Sequence, residues 1–272
     1  MNKSRPDGSL HLHMRTEIGI VVSHVPIGPD YRVLTLKLPT VAQAAQPGQF
    51  IHLRIAQLHD ALLRRPFSIY RVDGQHLSIL YKTIGRGTAA MQSLKIEDAL
   101  SIIGPLGNGF PLDLSAAATP VLVAGGYGVA PLYFLARHLP RRGVLIVGGA
   151  KADDILLVDE FQKLGWEVRI ATDDGSLGVK GLVTTPLDAW LAGEKKTPEC
   201  YACGPNGMLK AIGERAMDGN WNAWLSLDRH MGCGVGACLA CVQKVRLNGQ
   251  DTLARVCKDG PVFESRDVIW DA

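Results

Sequence analysis

The sequence predicts an α/β plus all-β protein, with an N-terminal antiparallel β-barrel, a parallel-sheet α/β domain and a small cysteine-rich C-terminal domain. Three observations predict this order. Short β-branched segments separated by turns come first, apolar strands alternating with helical segments follow, and four of the six cysteines lie near the C-terminus. We place the boundaries at residues 1–15 for a loose tail, 16–115 for the barrel, 116–220 for the α/β domain and 221–272 for the cysteine-rich domain.

The composition indicates a folded protein large enough for more than one domain. The chain has 272 residues, of which 47% are hydrophobic and 20% are charged, and its net charge is only +3. These values exclude a disordered chain and give no electrostatic basis for binding nucleic acid or an acidic membrane surface. The most apolar stretch, residues 121–136, is interrupted by glycines and a proline, so we expect no membrane-spanning segment. The N-terminus lacks the apolar core of a secretion signal, which predicts a cytoplasmic protein with reduced cysteines.

Six segments in the first part have the residue pattern of β-strands. Two of them flank Asp73-Gly74, a pair typical of a tight hairpin turn. Strands of this length and spacing predict a small antiparallel barrel. The segments are residues 18–25, 31–38, 50–55, 67–71, 77–82 and 99–103.

The middle part alternates apolar strands with helical segments, a pattern typical of a parallel sheet with crossover helices. No regular structure is predicted from Trp221 onward, where cysteine and glycine dominate. We expect strands at residues 120–124, 144–148, 167–171 and 199–202, and helices at residues 130–139, 154–164 and 206–217.

The cysteines near the C-terminus have the spacing of a metal centre. Four residues separate Cys233 from Cys238, two separate Cys238 from Cys241, and Cys257 follows. This is the plant-type ferredoxin spacing for a 2Fe-2S cluster. A zinc site with four thiolates is the alternative, although zinc ligands more often occur as two CxxC pairs. Glycines in the loop would let backbone N–H groups approach the sulfurs, and these are Gly232, Gly234 and Gly236.

A glycine turn between a predicted strand and a predicted helix indicates a dinucleotide site. Gly126 and Gly128 would let the backbone approach a pyrophosphate, whose charge the helix N-terminus stabilises. The turn departs from the G-x-G-x-x-G fingerprint because Pro131 occupies its last position. A purely structural turn is the alternative.

Two further features belong to the same predicted nucleotide site. Asp173 and Asp174 follow a strand, and either could bind the ribose diol of NAD, with Asp173 as our candidate; an ordinary Asp-Asp-Gly turn is the alternative. Cys200 and Cys203 form a C-x-x-C pair that we interpret as ordinary buried residues rather than a redox dithiol, because Gly204-Pro205 follows at the end of a strand.

In the barrel part, two segments are candidates for phosphate contacts. Residues 64–70 carry Arg65, whose planar guanidinium suits a pyrophosphate, although an edge strand with exposed arginines is the alternative. Residues 81–88 end a strand in a glycine turn where backbone N–H groups and the Thr88 hydroxyl could bind a second phosphate. We interpret residues 104–109 as only the closing turn of the barrel.

Taken together, these motifs resemble the ferredoxin-NADP reductase superfamily with an added 2Fe-2S domain. More narrowly, the cysteine loop and its Val-Cys-Lys-Asp-Gly-Pro tail closely resemble the electron-transfer subunits of dihydroorotate dehydrogenase B. The resemblance covers nearly everything after Thr16, whereas residues 1–15 have no match, and Phe67 stands where these subunits often have an aliphatic residue. The motifs that carry the resemblance are residues 65–68, 81–82, 87–88, 126–131, 203–205, 231–241 and 256–263.

The resemblance implies which residues bind each cofactor. The four cysteines would bind the 2Fe-2S cluster, and Gly125, Gly126, Gly128, Cys203 and Gly204 would bind NAD together with Asp173. The residues implied for FAD are Arg65, Pro66, Phe67, Ser68, Leu80, Tyr81, Lys82, Gly87 and Thr88.

The resemblance also implies a partner and a direction of electron flow. The partner would be a separate FMN-containing subunit that oxidises dihydroorotate in pyrimidine (UMP) synthesis, with two copies of each subunit in the assembly. Electrons would pass one at a time through the cluster to FAD, which joins this chemistry to hydride transfer to NAD+. No side chain need act as an acid–base catalyst, so we expect no role for His11, His13 or His24.

Two alternatives stay open on the sequence. One is the flavin and iron–sulfur subunit of an NADPH-dependent ferredoxin or sulfite reductase complex, which shares the same three segments. The other is a non-catalytic, zinc-stabilised scaffold with vestigial nucleotide turns. A colourless preparation without flavin or iron–sulfur absorption would favour the scaffold.

Overall fold

A computed structural model of the chain describes residues 14–55, 62–194 and 196–270. The predicted tail lies outside this part except for Met14 and Arg15, and Arg15 already begins the first strand. His11 and His13 also lie outside the described residues.

The N-terminal part is a closed six-stranded antiparallel barrel, which confirms the predicted architecture. The hairpin predicted at Asp73-Gly74 is present, with Gly74 and Gln75 as its two turn residues and Asp73 paired with His76. The barrel encloses an apolar core that includes Leu34, Ile51 and Ile79. The elements are β1 (Arg15–Pro26), β2 (Tyr31–Lys37), α1 (Pro39–Ala44), β3 (Phe50–Leu53), β4 (Arg65–Asp73), β5 (His76–Lys82), α2 (Arg86–Met91) and β6 (Ala99–Leu106). Around the barrel the strands follow the order β1-β2-β5-β4-β3-β6.

The middle part is a parallel sheet with helices, as predicted. The expected helix over residues 154–164 is wrong in length, because Leu157 adopts a left-handed conformation (φ 62°) and the α-helix begins only at Val158. A 3₁₀ turn over residues 152–154 precedes it. The elements are β7 (Ala118–Gly125), α3 (Val129–His138), β8 (Val144–Gly149), α4 (Val158–Lys163), β9 (Glu167–Thr172), β10 (Val179–Lys180), α5 (Thr184–Gly193), β11 (Thr197–Cys203), α6 (Asn206–Asp218) and β12 (Asn222–Ser226).

The cysteine-rich segment leaves this sheet and returns to it. After β12 the chain forms the cysteine loop and a hairpin of β13 (Val242–Leu247) and β14 (Gln250–Arg255). It then re-enters the sheet as β15 (Val262–Glu264), antiparallel to β12. The sheet order is β10-β9-β8-β7-β11-β12-β15, so strands beyond residue 220 are continuous with the nucleotide-type sheet.

The barrel and the sheet domain are joined by aromatic packing and by a buried polar group. The Tyr70 ring of β4 lies 5.0 Å from the Tyr133 ring of α3, centroid to centroid. Asp154 accepts hydrogen bonds from the Tyr31 hydroxyl (2.5 Å) and from the Lys82 ammonium (2.8 Å). Burial and the bond to Asp154 raise the pKa of Tyr31 to about 12. Burial opposes ionisation of Asp154, but its bonds to Lys82 and Tyr31 outweigh this and hold its pKa below the ordinary value.

Among the described residues, no helix has both the length and the apolar character needed to cross a bilayer.

The interaction at Asp154 predicts a pH-dependent contribution to stability. Asp154→Asn should lower the free energy of unfolding at neutral pH by about 2 kcal/mol, because a buried ion pair loses one charge. Since folding lowers the pKa of Asp154 from 3.8, this contribution is complete above that value and is lost as the pH falls through the folded pKa. Denaturant unfolding of both proteins from neutral to acidic pH measures the difference.

Asp153→Asn is the matched control. Asp153 pairs with Lys151 at 2.9 Å, but both side chains are about half exposed, so its loss should change stability little. Equal effects of the two substitutions, or a difference independent of pH, would contradict this account of the domain joint.

Candidate functional site

A cavity of about 570 Å³ lies where the barrel, the sheet and the cysteine-rich segment meet. All nine residues that the resemblance implies for FAD line it, together with Gly128 and Cys203 from the predicted NAD set. Its walls are therefore formed by residues of the barrel, the glycine turn after β7, the end of β11 and the segments on either side of the cysteine-rich hairpin. The fold brings these distant pieces of sequence into one site.

Arg65 and the turn before α2 form one end of the cavity. The Arg65 side chain is half-buried and its Nη1 donates to the Leu63 carbonyl at 2.7 Å. Gly87 lies beside this side chain, since a Cβ atom there would be in ordinary van der Waals contact with Arg65 Nε at 3.5 Å. Thr88 Oγ1 accepts hydrogen bonds from the N–H groups of Ile84 (2.9 Å) and Gly85 (3.2 Å). Its hydroxyl therefore shapes the turn beside this cation.

Aromatic side chains form another part of the cavity wall. The rings of Phe67 and Tyr81 meet edge to face with centroids 6.0 Å apart. The Tyr81 hydroxyl lies 2.9 Å from Nε2 of His24, and burial raises the pKa of Tyr81 to about 12. No role is expected for His24 from the sequence, but its ring is half-buried and supports Tyr81, a cavity residue. This wall suits a flat, largely apolar ring system.

The glycine turn after β7 packs directly on the turn after β11. A Cβ atom at Gly125 would lie 2.6 Å from Pro205 Cδ, and one at Gly128 would lie 2.6 Å from the carbonyl carbon of Cys203. Gly126 has a positive φ of 53°, and a Cβ there would meet no atom within 4 Å. The predicted NAD residues at these two turns therefore come together, and Gly128 and Cys203 face the cavity.

Asp173 lies at the same edge of the sheet but away from the cavity. It is exposed in the turn after β9, where its N–H donates to the Gly149 carbonyl at 3.1 Å. Two strand spacings separate β9 from β7, which is about 10 Å. Asp173 is thus within reach of a long dinucleotide, but it does not contact the glycine turn.

Cavity residues that the sequence analysis missed come mainly from the segment after β12. Asp228 is exposed and lines the cavity, and partial desolvation raises its pKa. Burial also raises the pKa of the Cys203 thiol, to about 12, although Ser226 partly opposes this, so the thiol is protonated near neutral pH. Further residues of the wall that were not predicted are Phe50, Tyr127, Met231 and Pro261.

The four cysteines of the C-terminal part lie in two pairs. The N–H of Cys233 points at the sulfur of Cys238, and the N–H of Cys257 points at the sulfur of Cys241, each at 3.4 Å. Burial opposes ionisation of Cys233, but the N–H groups of residues 235, 237 and 238 outweigh it and hold its pKa at about 6. Burial and the neighbouring Cys241 raise the pKa of Cys257 to about 12.

This donor set fits a binuclear iron–sulfur cluster. Two thiolates per iron match the two observed pairs, and the N–H groups aimed at Cys233 supply the hydrogen bonds that such sulfurs accept. In residues 14–55, 62–194 and 196–270, no three His, Cys, Asp or Glu side chains converge closely enough to form the ligand set of a single metal ion.

Glycines shape the cysteine loop as the sequence predicts. Gly234 (φ 73°) and Gly236 (φ 84°) have left-handed conformations, and a Cβ at Gly232 would lie 3.2 Å from Cys238 Sγ. Gly234 rests on the ring of His52, a fully buried residue of β3 whose pKa burial lowers. His52 was missed because a single histidine in an apolar strand carries no local signal.

Comparison with known proteins matches each of these three sites. A family model described as the iron–sulfur cluster binding domain of dihydroorotate dehydrogenase B matches residues 228–269. An oxidoreductase FAD-binding domain matches residues 19–110, and an oxidoreductase NAD-binding domain matches residues 122–214. The chain therefore carries an FAD-binding, an NAD-binding and an iron–sulfur cluster-binding domain.

A solved structure with similar extent is described as an NADH-dependent reduced ferredoxin-NADP oxidoreductase. It aligns with a TM-score of 0.81 and 30% identity over 93% of this chain and 90% of its own. The ferredoxin reductase in carbazole 1,9a-dioxygenase aligns with a TM-score of 0.63 and 20% identity over 75% of this chain and 66% of its own, a likeness of fold alone.

Two similar curated relatives share the name dihydroorotate dehydrogenase B (NAD(+)), electron transfer subunit. The relative from Geobacillus thermodenitrificans is 43% identical over 256 residues, which is 92% of this chain and 96% of its own. The relative from Bacillus caldolyticus is 42% identical over 242 residues, covering 87% and 91%. Similarity at this level over nearly the whole length, joined to the cysteine-loop match, shows that the chain belongs to the family of dihydroorotate dehydrogenase B electron transfer subunits.

Proposed function

We propose that this chain carries electrons from a separate catalytic dihydroorotate dehydrogenase subunit to NAD+. The observation that carries the proposal is the shared cavity: residues implied for FAD form its walls, the glycine turn after β7 opens onto it, and the cysteine-bearing segment closes it. An electron carrier that serves both a nicotinamide and an iron–sulfur centre needs these sites adjacent to each other.

The chain's residues divide the work of holding the cofactors. Arg65 and the turn at Gly87-Thr88 would hold phosphate, Phe67 and Tyr81 would hold an aromatic ring, and the four cysteines would hold the cluster. When bound, FAD exchanges a hydride with nicotinamide and single electrons with iron–sulfur centres, which is the conversion that this set of domains requires.

On the nicotinamide side, the chain's task is to bind and orient. Gly126 and Gly128 present backbone N–H groups at the start of α3, where a pyrophosphate is stabilised by the helix N-terminus. The Cys203 thiol is protonated, so it presents a compact, neutral surface to the cavity instead of a nucleophile. Asp173 would contact the ribose at the far end of the dinucleotide.

The partner follows from the family. The relatives are named as electron transfer subunits, which implies a catalytic subunit beside them. We propose that this subunit contains FMN, oxidises dihydroorotate in pyrimidine synthesis, and joins this chain in the cytoplasm as two copies of each. Purification of the chain alone and with the catalytic subunit tests the division of labour, since orotate formation coupled to NAD+ by the isolated chain would refute it.

A ferredoxin-type partner is the second candidate. It is favoured by the similarity, at 30% identity over 93% of the chain, to an NADH-dependent reduced ferredoxin-NADP oxidoreductase. Co-expression with each catalytic partner separates the two, because the true partner copurifies and supports turnover.

Cys238→Ser should separate the two halves of the reaction. Loss of this ligand should abolish the cluster's visible absorption and its EPR signal, and with them electron exchange with the catalytic subunit. Direct reduction of FAD by NADH should survive, because Cys238 does not line the cavity. Cys200→Ala, at a fully buried thiol of β11, is the control and should retain both activities. Equal loss of both activities in Cys238→Ser would count against the proposed order of sites.

Gly234→Ala should prevent cluster retention. A Cβ at this position would overlap the buried His52 ring, and the left-handed backbone adds strain. Gly249→Ala is the matched control, since Gly249 has a similar φ of 80° but no atom within 4 Å of the new Cβ. Iron content after anaerobic purification should fall only in Gly234→Ala. Similar iron content in both variants would mean that His52 does not restrict the loop.

Arg65→Ala should weaken FAD binding about tenfold or more, because a charge-assisted contact to phosphate is lost. Arg64→Ala is the control: its guanidinium binds Ser101 of β6, at 2.6 Å to the carbonyl and 2.9 Å to the hydroxyl, and does not line the cavity. Flavin fluorescence during dilution measures retention. If Arg64→Ala retained FAD less well than Arg65→Ala, the assignment of the phosphate contact to Arg65 would be wrong.

A further inference from the structure

We propose that Asn108 is a positioning residue that fixes the cysteine-bearing segment at a set distance from the flavin cavity. This inference rests on the proposed function, because it concerns electron exchange between the two sites. Asn108 lies in the turn over residues 104–109, which the sequence suggests is only the end of the barrel.

Asn108 forms hydrogen bonds with the segment that follows Cys257. Its Nδ2 donates to the carbonyls of Lys258 (3.3 Å) and Asp259 (3.1 Å), and its backbone N–H donates to the Gly260 carbonyl (2.6 Å). Three successive carbonyls of the cysteine-rich part are therefore held by one residue of the barrel.

The turn that contains Asn108 is held by hydrogen bonds of Gln49. Gln49 is buried, and its Nε2 donates to the Gly107 carbonyl at 2.8 Å while its Oε1 accepts from the Gln46 N–H at 2.8 Å. Gly107 has a positive φ of 74°, and a Cβ there would lie 2.5 Å from Pro261 Cδ. The hydrogen bonds of Gln49 therefore fix the turn of the barrel at the point where Gly107 packs against Pro261.

The segment bound by Asn108 has several hydrogen bonds of its own. Arg255 forms a two-pronged pair with Asp259, through Nε at 2.9 Å and Nη2 at 3.0 Å. Asp259 also accepts the Arg255 N–H at 2.7 Å, and Arg255 Nη1 reaches the Gly236 carbonyl at 3.4 Å. Holding this segment therefore also holds the loop that carries the other cysteines.

The three carbonyls bound by Asn108 lie in sequence between a proposed cluster ligand and a cavity residue. Cys257 is the fourth proposed cluster ligand, and Pro261, four residues later, lines the cavity wall. The rate of electron exchange falls steeply with distance, so a small displacement of this segment would slow exchange between the cavity and the cysteine site. The proposed nicotinamide side of the cavity is lined by Gly128 and not by Asn108, so reduction of FAD by NADH should not depend on Asn108.

The test compares the Asn108→Ala variant with the wild-type protein, both loaded with FAD and the cluster. Asn108→Asp serves as a second variant that keeps the side-chain shape but places an acceptor against the carbonyls. Asn222→Ala is the matched control, because it also removes an asparagine hydrogen bond, to Glu199 at 3.2 Å, but within the sheet. Stopped-flow absorbance separates the reduction of FAD by NADH from the subsequent reduction of the cluster, and hydrogen exchange follows the backbone amide of residue 108.

In both Asn108 variants, we expect reduction of the cluster by reduced FAD to slow about tenfold, with faster amide exchange at residue 108. Cluster content, the EPR spectrum and FAD reduction by NADH should match the wild type and Asn222→Ala. An unchanged rate of cluster reduction would overturn the inference, and so would loss of the cluster, which would make Asn108 a determinant of cluster retention instead. Failure of wild-type protein to serve the dihydroorotate-oxidising subunit would refute the proposed function, while the effect of Asn108 on internal exchange would still be measured.

Discussion

The site depends on the fact that neighbouring parallel strands end at the same edge of a sheet. β7, β11 and β12 lie side by side, and their carboxyl ends carry the glycine turn, Cys203 and the segment to Asp228. β15 runs antiparallel to β12, so the chain comes back from the cysteine hairpin at that edge, through Pro261. This edge therefore brings the proposed nucleotide residues and the segments that flank the cysteine loop to a single junction, and the barrel adds the residues implied for FAD.

Two cysteine side chains of this protein have pKa values shifted in opposite directions. The Cys203 thiol is buried and burial raises its pKa to about 12, which suits an inert wall. Cys233 is held by N–H groups of its own loop, which lower its pKa to about 6 despite partial burial and so favour the thiolate that a metal requires. The difference comes from backbone conformation: glycine at position 234 permits the loop that points these N–H groups at sulfur.

Local patterns in the sequence predicted the barrel strands, the parallel sheet and the cysteine spacing, because each is written in consecutive residues. Features that depend on tertiary contact were missed. The strand segments predicted for the first part leave residues 39–49 without an element, yet Pro39 begins α1, where a first-turn proline is favourable. Asp228 and Pro261 reach the cavity only through the pairing of β12 with β15. Asn108 looked like part of an ordinary turn because its partners lie about 150 residues away in the sequence.

The central claim is that four thiolates hold two irons beside a bound flavin. Quantifying iron, zinc, acid-labile sulfide and FAD per chain in anaerobically purified protein tests it most directly. The account predicts iron and sulfide in equal amounts, two of each per chain, together with one FAD. Zinc in place of iron, with no acid-labile sulfide, would contradict it.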